Sequence, residues 1–177
     1  ITNQAMLLKK LEIKGYEKLL EYVNEVRSGD STNREGHAAK VYFNLLYGMD
    51  FIRGRSDNTN VALDYGYSIL LSILNREVVS KGYITPIGIN HKSEFNQFNL
   101  SCDLMEIFRP LIDEVVYTNR EFAFDKNYKY KLINVMNQTV TIGDKEQYVS
   151  NAISIFISSV FDFLENDKES KIINYEF

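Results

Sequence analysis

NTNVALDYGYSILLSILNREVVS, residues 58–80, is the stretch that decides the fold. Leu63, Tyr67, Leu70, Leu71 and Leu74 recur at steps of three and four, which gathers them on one side of a helix. A strand would need strict alternation and would be far shorter. The spacing predicts one helix over about Asn58–Ser80.

On the N-terminal side, residues 3–27 read as a single amphipathic helix, with Leu7, Leu8, Leu11, Leu19, Leu20 and Val23 on the apolar side. Lys10, Lys14 and Lys18 form a basic stripe, and Glu17, Glu21 and Glu25 an acidic one. Such stripes belong to a solvated face with intrahelical pairs; a phosphate-contacting edge is the other reading. SGDSTNRE, residues 28–35, has helix-start chemistry. Ser31 or Thr32 is expected to cap a second helix reaching about Leu46, with Glu35 in its first turn. A polar loop with Arg53 and Arg55 follows.

On the C-terminal side, KGYITPIGINHKSEFNQF, residues 81–98, is a long loop carrying His91. Long loops inside compact domains are usually functional. A fourth helix is expected from Asn96–Asn99 to about Tyr117, and a short one over 126–137. TVTIGD is expected as a brief extended segment, with Asp144 capping the last helix. Val149, Ala152, Ile153, Phe156, Ile157 and Val160 keep a 3.6-residue period there. The polar tail after Asn166 is expected to fray.

These runs predict a mainly α fold in a single helical domain spanning 1–177. The chain has 177 residues, two prolines and nine glycines, enough length for one core. Its net charge of −4 argues weakly against nucleic acid, although a local basic patch suffices. The lone cysteine, Cys102, excludes an intramolecular disulfide framework and fits a reducing cytoplasm. No signal peptide and no 18-residue apolar run is found, so no membrane partner is expected. Because the chain enters helix almost at once from Ile1, it reads as a piece of a longer protein.

The chemistry-bearing candidates are Glu35, His91, Asp103 and Glu106. Acid, imidazole and acid together suit a hard-to-borderline divalent ion and chemistry on phosphate. Asp103 and Glu106, three apart, share one side of a helix with Asn99. Two such acids repel unless a cation or proton lies between them; an ordinary solvated strip is the plainer alternative. His37, two residues after Glu35, points elsewhere on a helix, which also excludes a HExxH-type zinc motif. Neither a Gly-rich phosphate loop nor a GxSxG elbow is present, and Cys102 in an apolar helix is a core residue, not a thiolate.

Three strings carry a resemblance: NREGHAAKVYFNLLYGMDF, DNTNVALDYGYSILLSIL and GINHKSEFNQFNLSCDLMEIFRPLIDEVVY. In this order and spacing they resemble the CRISPR-associated integrase, the universal "protein one" of CRISPR adaptation, in its type II form. The resemblance implies the helical catalytic domain of that family without its N-terminal β-domain. It implies Mn²⁺ or Mg²⁺ held by Glu35, His91 and Glu106 as catalytic metal ligands, with Asp103 as supporting acid. Many members have aspartate where Glu106 stands. Arg34, Lys92, Asn96 and Arg109 are candidates for holding DNA. The implied reaction is attack of a DNA 3′-hydroxyl on a phosphodiester of the CRISPR array, in the prokaryotic cytoplasm. The implied partners are DNA, a second copy in a homodimer, a small ferredoxin-like subunit, other type II adaptation proteins and the effector nuclease. A non-catalytic helical interaction domain and a stand-alone metal-dependent nuclease stay open as alternatives.

Overall fold

The computed structural model describes residues 1–166 and 170–177. Helices dominate, as the apolar spacing requires. α1 (Thr2–Lys10), α2 (Glu17–Glu25) and α3 (Arg34–Tyr47) pack together around Ala5, Leu7, Leu8, Leu19, Tyr42 and Leu46. α4 (Asn58–Ser80) is the central helix, with α5 (Asn99–Met105), α6 (Arg109–Asn119), α7 (Lys126–Ile133) and α8 (Val149–Glu165) packed on it. Leu63, Leu70 and Leu74 are fully buried, whereas Tyr67 and Leu71 pack at the edge of that core. The α4 bounds agree with the sequence reading, and Asp57 caps the helix by accepting from the N–H of Asn60 at 2.8 Å. No helix among the described residues is long and apolar enough to cross a membrane.

Several local expectations are corrected. The N-terminal helix is two helices, broken where Glu12 and Gly15 take positive φ of 57° and 96°. The break disperses the lysine stripe: Lys10 pairs with Glu114 on α6 at 2.8 Å, and Lys18 with Glu21 at 2.6 Å. Neither Ser31 nor Thr32 caps α3. Asp30 does so, accepting from the N–H groups of Arg34 and Glu35 at 2.7 and 3.0 Å.

The helix expected from Asn99 to Tyr117 is interrupted by a 3₁₀ turn, Glu106–Phe108, before α6 begins. Pro110 in the first turn of α6 explains this. It has no N–H to donate, and its ring crowds the carbonyl four residues back, that of Glu106. The short helix likewise ends at Ile133 and continues as a 3₁₀ turn to Asn137.

Asp144 caps no helix. With Gly143 it forms a two-residue turn, both at positive φ, joining β1 (Thr139–Ile142) to β2 (Lys145–Tyr148) in an antiparallel hairpin. The expected fraying of the tail is also corrected where the tail is described, residues 167–169 lying outside the described set. β3 (Tyr175–Glu176) adds to the other edge of β1, giving the order β2-β1-β3. Tyr175 is 2% exposed and stacks on Phe108, which an unattached tail would not do.

Candidate functional site

The 81–98 loop is short of regular structure but not of anchors. Asp103, on α5, accepts from the backbone N–H groups of Ile89, Asn90 and His91 at 2.6, 2.9 and 3.0 Å. Its Oδ1 also lies 2.5 Å from His91 Nδ1. One turn earlier, Asn99 Nδ2 donates to the carbonyls of Pro86 and Ser93 at 2.9 and 2.8 Å. Gly88 permits this close approach: a Cβ there would meet the His91 carbonyl at 2.4 Å and Asp103 Oδ2 at 2.8 Å. The loop therefore lies flat on α5.

This clasp fixes the imidazole chemically as well as spatially. An ionised carboxylate only accepts, so a neutral His91 carries its proton on Nδ1 and keeps a free lone pair on Nε2. Nε2 faces Glu106, with Oε1 at 3.9 Å. Burial works to raise the Asp103 carboxyl. The Asn90 N–H, the His91 imidazole and the N–H groups of His91 and Ile89 outweigh it and hold the group below its ordinary range.

Across the cleft, the N-terminal turn of α3 supplies Glu35. The cleft, of about 510 Å³, is lined by Glu35, Gly36, Asp103, Glu106, Arg109 and the first residues of α1, among others. Partial desolvation raises the Glu35 carboxyl, and the charges of Glu106 and Asp30 raise it further, with the Ile1 amino group and His91 pulling the other way. Glu35, its ionisation opposed by burial and by a second acid across the cleft, stands in a setting that favours a cation.

Of the four candidates, His91 and Asp103 are in direct contact, Glu106 lies beside His91, and Glu35 lines the same cleft as Asp103 and Glu106. Asp103 and Glu106 divide the work: one holds the loop and imidazole, and the other is an exposed acid beside Nε2. Among the described residues, no three His, Cys, Asp or Glu side chains are gathered into a metal-holding cluster; His91 and Glu106 approach as a pair, and Glu35 stands across the cleft from Glu106. His37 is turned away, 6.4 Å from the Tyr22 ring.

The four DNA-holding candidates separate. Arg109 lines the cleft, with Nη1 3.9 Å from Glu106 and its buried Nε without a partner. Its guanidinium lies 5.3 Å from the ring of Tyr67, on whose ring Arg53 also sits, at 5.6 Å. Arg34 is instead engaged with Glu25 at 3.0 Å and with the ring of Tyr22. Asn96 is a local clasp, bonded to the N–H of Phe98 and to the sulfur of half-buried Cys102. Lys92 is exposed in the His91 loop.

The sequence reading missed several supports. The Ile107 carbonyl, next to Glu106, accepts from Asn3 Nδ2 at 3.0 Å and from Tyr175 OH at 2.9 Å. The two ends of the chain thereby hold the turn that carries an acid of the site. Asp113 is 1% exposed and accepts from Tyr42 OH at 2.7 Å and from Tyr67 OH, joining α3, α4 and α6 beneath the cleft. Burial raises it to about 6, against the lowering pull of the Tyr67 and Tyr42 hydroxyls, Arg109 and Arg53. The aromatics of YFNLLY and DYGY were a faint signal that hydroxyls would need a buried acceptor.

Comparison with known proteins bears on the family and the fold. The family model described as CRISPR associated protein Cas1 matches residues 3–136. The CRISPR-associated endonuclease Cas1 of Neisseria meningitidis serogroup C (strain 8013) is 35% identical over 159 residues, covering 87% of this chain and 52% of that protein. CRISPR-associated endonuclease Cas1 1 of Francisella tularensis subsp. novicida (strain U112) is 30% identical over 150 residues, 77% of this chain and 46% of that one. The chain therefore spans about half the length of these relatives. Among solved structures, a Cas1 protein from Thermotoga maritima superposes with a TM-score of 0.79 at 16% identity, over 93% of this chain and 61% of that one. A casposase bound to its integration product gives 0.74 at 22%, over 95% and 58%. These two likenesses show the fold.

Proposed function

The chain belongs to the CRISPR-associated Cas1 family, and from that premise we propose that it is the catalytic part of a metal-dependent DNA integrase and endonuclease. The observation that carries the proposal is the row Asp103–His91–Glu106 facing Glu35 over one cleft. On this reading Glu35, His91 and Glu106 hold Mn²⁺ or Mg²⁺, the imidazole nitrogen tilting the choice toward Mn²⁺. Asp103 holds the ligand histidine from behind, the arrangement that fixes both tautomer and ring orientation in metal sites. When bound, such an ion polarises a phosphodiester and favours the deprotonated form of an attacking hydroxyl.

The reaction we assign joins the 3′-hydroxyl of a short DNA segment to a phosphodiester of the CRISPR repeat. One P–O bond forms at the incoming 3′ oxygen, and one breaks at the 3′ oxygen of the target strand. The phosphodiester count is unchanged, so no energy source and no covalent enzyme intermediate is needed. To Arg109, part-exposed at the cleft and stacked on Tyr67, we assign a phosphate oxygen of the strand held there. We assign DNA as substrate. The proposed partners are a second copy of the protein, the small ferredoxin-like subunit, the other type II adaptation proteins and the effector nuclease.

The test is strand transfer with a labelled short duplex, a supercoiled repeat-bearing plasmid, Mn²⁺ and the bridging subunit, run beside resolution of a branched DNA. Label joined to plasmid or released from the branch, and lost in His91→Ala, is expected. Plasmid that is cut but never joined moves the assignment to a stand-alone nuclease. Activity undiminished in His91→Ala, or no DNA reaction and no Mn²⁺-dependent thermal shift, overturns it in favour of an interaction domain.

A further inference from the structure

The two acids nearest His91 are held differently. Asp103 is fixed through its own side chain, by three backbone N–H groups and the His91 ring. The Glu106 carboxylate has no such hold. His91 Nε2 and Arg109 Nη1 each lie 3.9 Å from its Oε1, beyond hydrogen-bond length, and its side chain is 44% exposed. Where this acid stands is therefore set by the backbone beneath it. That backbone is a weak point in the helix. Glu106–Phe108 is a 3₁₀ turn, and Pro110 has no N–H to return to the Glu106 carbonyl.

The turn is braced from outside, at the Ile107 carbonyl. Asn3 Nδ2 donates to it from α1 at 3.0 Å, and Tyr175 OH donates from β3 at 2.9 Å. Tyr175 is itself placed in three ways. Its backbone pairs with Ile142 of β1, and its ring stacks on Phe108 with the centroids 5.2 Å apart. The chain just before it is tied to α8, where the Ile173 N–H donates to Ser159 Oγ at 2.9 Å. Phenylalanine has the same ring and would fill this place in the core as well. The hydroxyl adds one thing, a bond to the carbonyl of the residue after Glu106.

Resting on the reading of Glu106 as a metal ligand, we propose that Tyr175 is a positioning residue for Glu106, bracing through the Ile107 carbonyl the turn that presents the carboxylate to His91 Nε2. Asn3 holds the same oxygen from α1. The short strand β3 thereby sets the separation of two ligands, one carried by a loop and the other by a turn. Without the hydroxyl the turn relaxes, acid and imidazole converge less well, and affinity for the ion falls while the fold remains.

The test uses Mn²⁺ alone, the free ion being counted by its paramagnetic resonance signal as it is titrated into the protein. Tyr175→Phe removes one oxygen and keeps the ring. Tyr128→Phe is the control: it removes another buried phenol, bonded to the Val116 carbonyl at 3.1 Å and outside the cleft lining. Tyr175→Phe should bind Mn²⁺ about tenfold more weakly than wild type, the lower end of the loss typical for an outer partner of a metal site. Its strand transfer should recover as Mn²⁺ is raised. Asn3→Ala should shift Mn²⁺ affinity in the same direction. Tyr128→Phe should bind Mn²⁺ as wild type does, with a melting temperature lowered as much as that of Tyr175→Phe. Unchanged affinity in Tyr175→Phe, or in Asn3→Ala should the first variant not fold, overturns the positioning role alone. An equal loss in Tyr128→Phe also overturns it, by making the effect one of general stability. Wild type that binds no Mn²⁺ overturns it together with the metal reading.

Discussion

Asp103 and Asp113 sit ten residues apart, on α5 and α6, and each accepts more than one bond from elsewhere in the chain. Asp103 stands at an open cleft, and its partners are backbone N–H groups and an imidazole. Asp113 is buried, and its hydrogen-bond partners are two phenols. The first set lowers the carboxyl's affinity for a proton, and the second leaves it raised to about 6. A carboxylate met by backbone dipoles stays ionised and can orient a histidine. One met by phenols ties helices together at an electrostatic cost. The same group thus serves the site in one place and the scaffold in the other, and substitutions should divide accordingly.

The largest separation is expected from His91→Ala. Loss of an outer partner of a metal ligand typically costs ~10–100-fold in activity, so loss of the ligand itself should cost more and bring strand transfer to background. Its melting temperature should stay near wild type, since the ring is partly exposed and held at the cleft edge. Asp113→Ala should do the reverse as a first effect. It strands the Tyr42 and Tyr67 hydroxyls without an acceptor, costing about 3 kcal/mol in urea denaturation. A cost below about 1 kcal/mol would break the comparison.

Acidity sharpens the same contrast. Asp113 moves from an ordinary 3.8 up to about 6 in the folded protein, so the folded state holds this proton more tightly than the unfolded chain. Its stabilising contribution is greatest at and below about pH 4, falls as pH rises to about 6, and is flat above. The groups facing it are Tyr42, Tyr47, Tyr67, Tyr175, Arg53 and Arg109; phenols stay neutral and guanidiniums charged over that range. Across it, the stability of wild type relative to Asp113→Asn should drop by up to ~3 kcal/mol. A constant difference between the two proteins would contradict the assignment.

Two glycines provide the finer test. A Cβ on Gly66 would meet Ile112 Cγ2 at 2.4 Å, where α4 and α6 touch. Gly66→Ala should therefore cost about 2 kcal/mol of global stability through overpacking. Gly88→Ala collides instead with the His91 carbonyl and Asp103. It should displace the loop and lower activity about tenfold, with a stability change under ~1 kcal/mol. Denaturation and strand-transfer rates measured on the same preparations decide whether the two glycines divide as the aspartates do.

Sequence spacing carried the long elements because their signals are local. α4 reads from its own leucines, and the period of α8 reads the same way. The expectation weakened wherever a distant partner decides. The break between α1 and α2 follows from packing against α3, since Gly15 abuts Leu45, and nothing in the helical period announces it. Gly143-Asp144 was a hairpin signal overlooked in favour of an Asp cap. β3 depends on a tail that looks merely polar until Tyr175 meets Phe108. In the candidate site, residue types and order singled out Glu35, His91, Asp103 and Glu106. They did not reveal that Asp103 holds the loop or that Asn99 pins it. Asp113 was illegible because its partners come from 71 and 46 residues away.

The central claim is that Glu35, His91 and Glu106 hold one divalent ion. Crystals grown with Mn²⁺ and measured above its absorption edge test this directly. The account predicts an anomalous peak at His91 Nε2, within ligand distance of Glu106 and Glu35, and no such peak in His91→Ala. Mn²⁺ bound elsewhere, or the same peak in the variant, would contradict it.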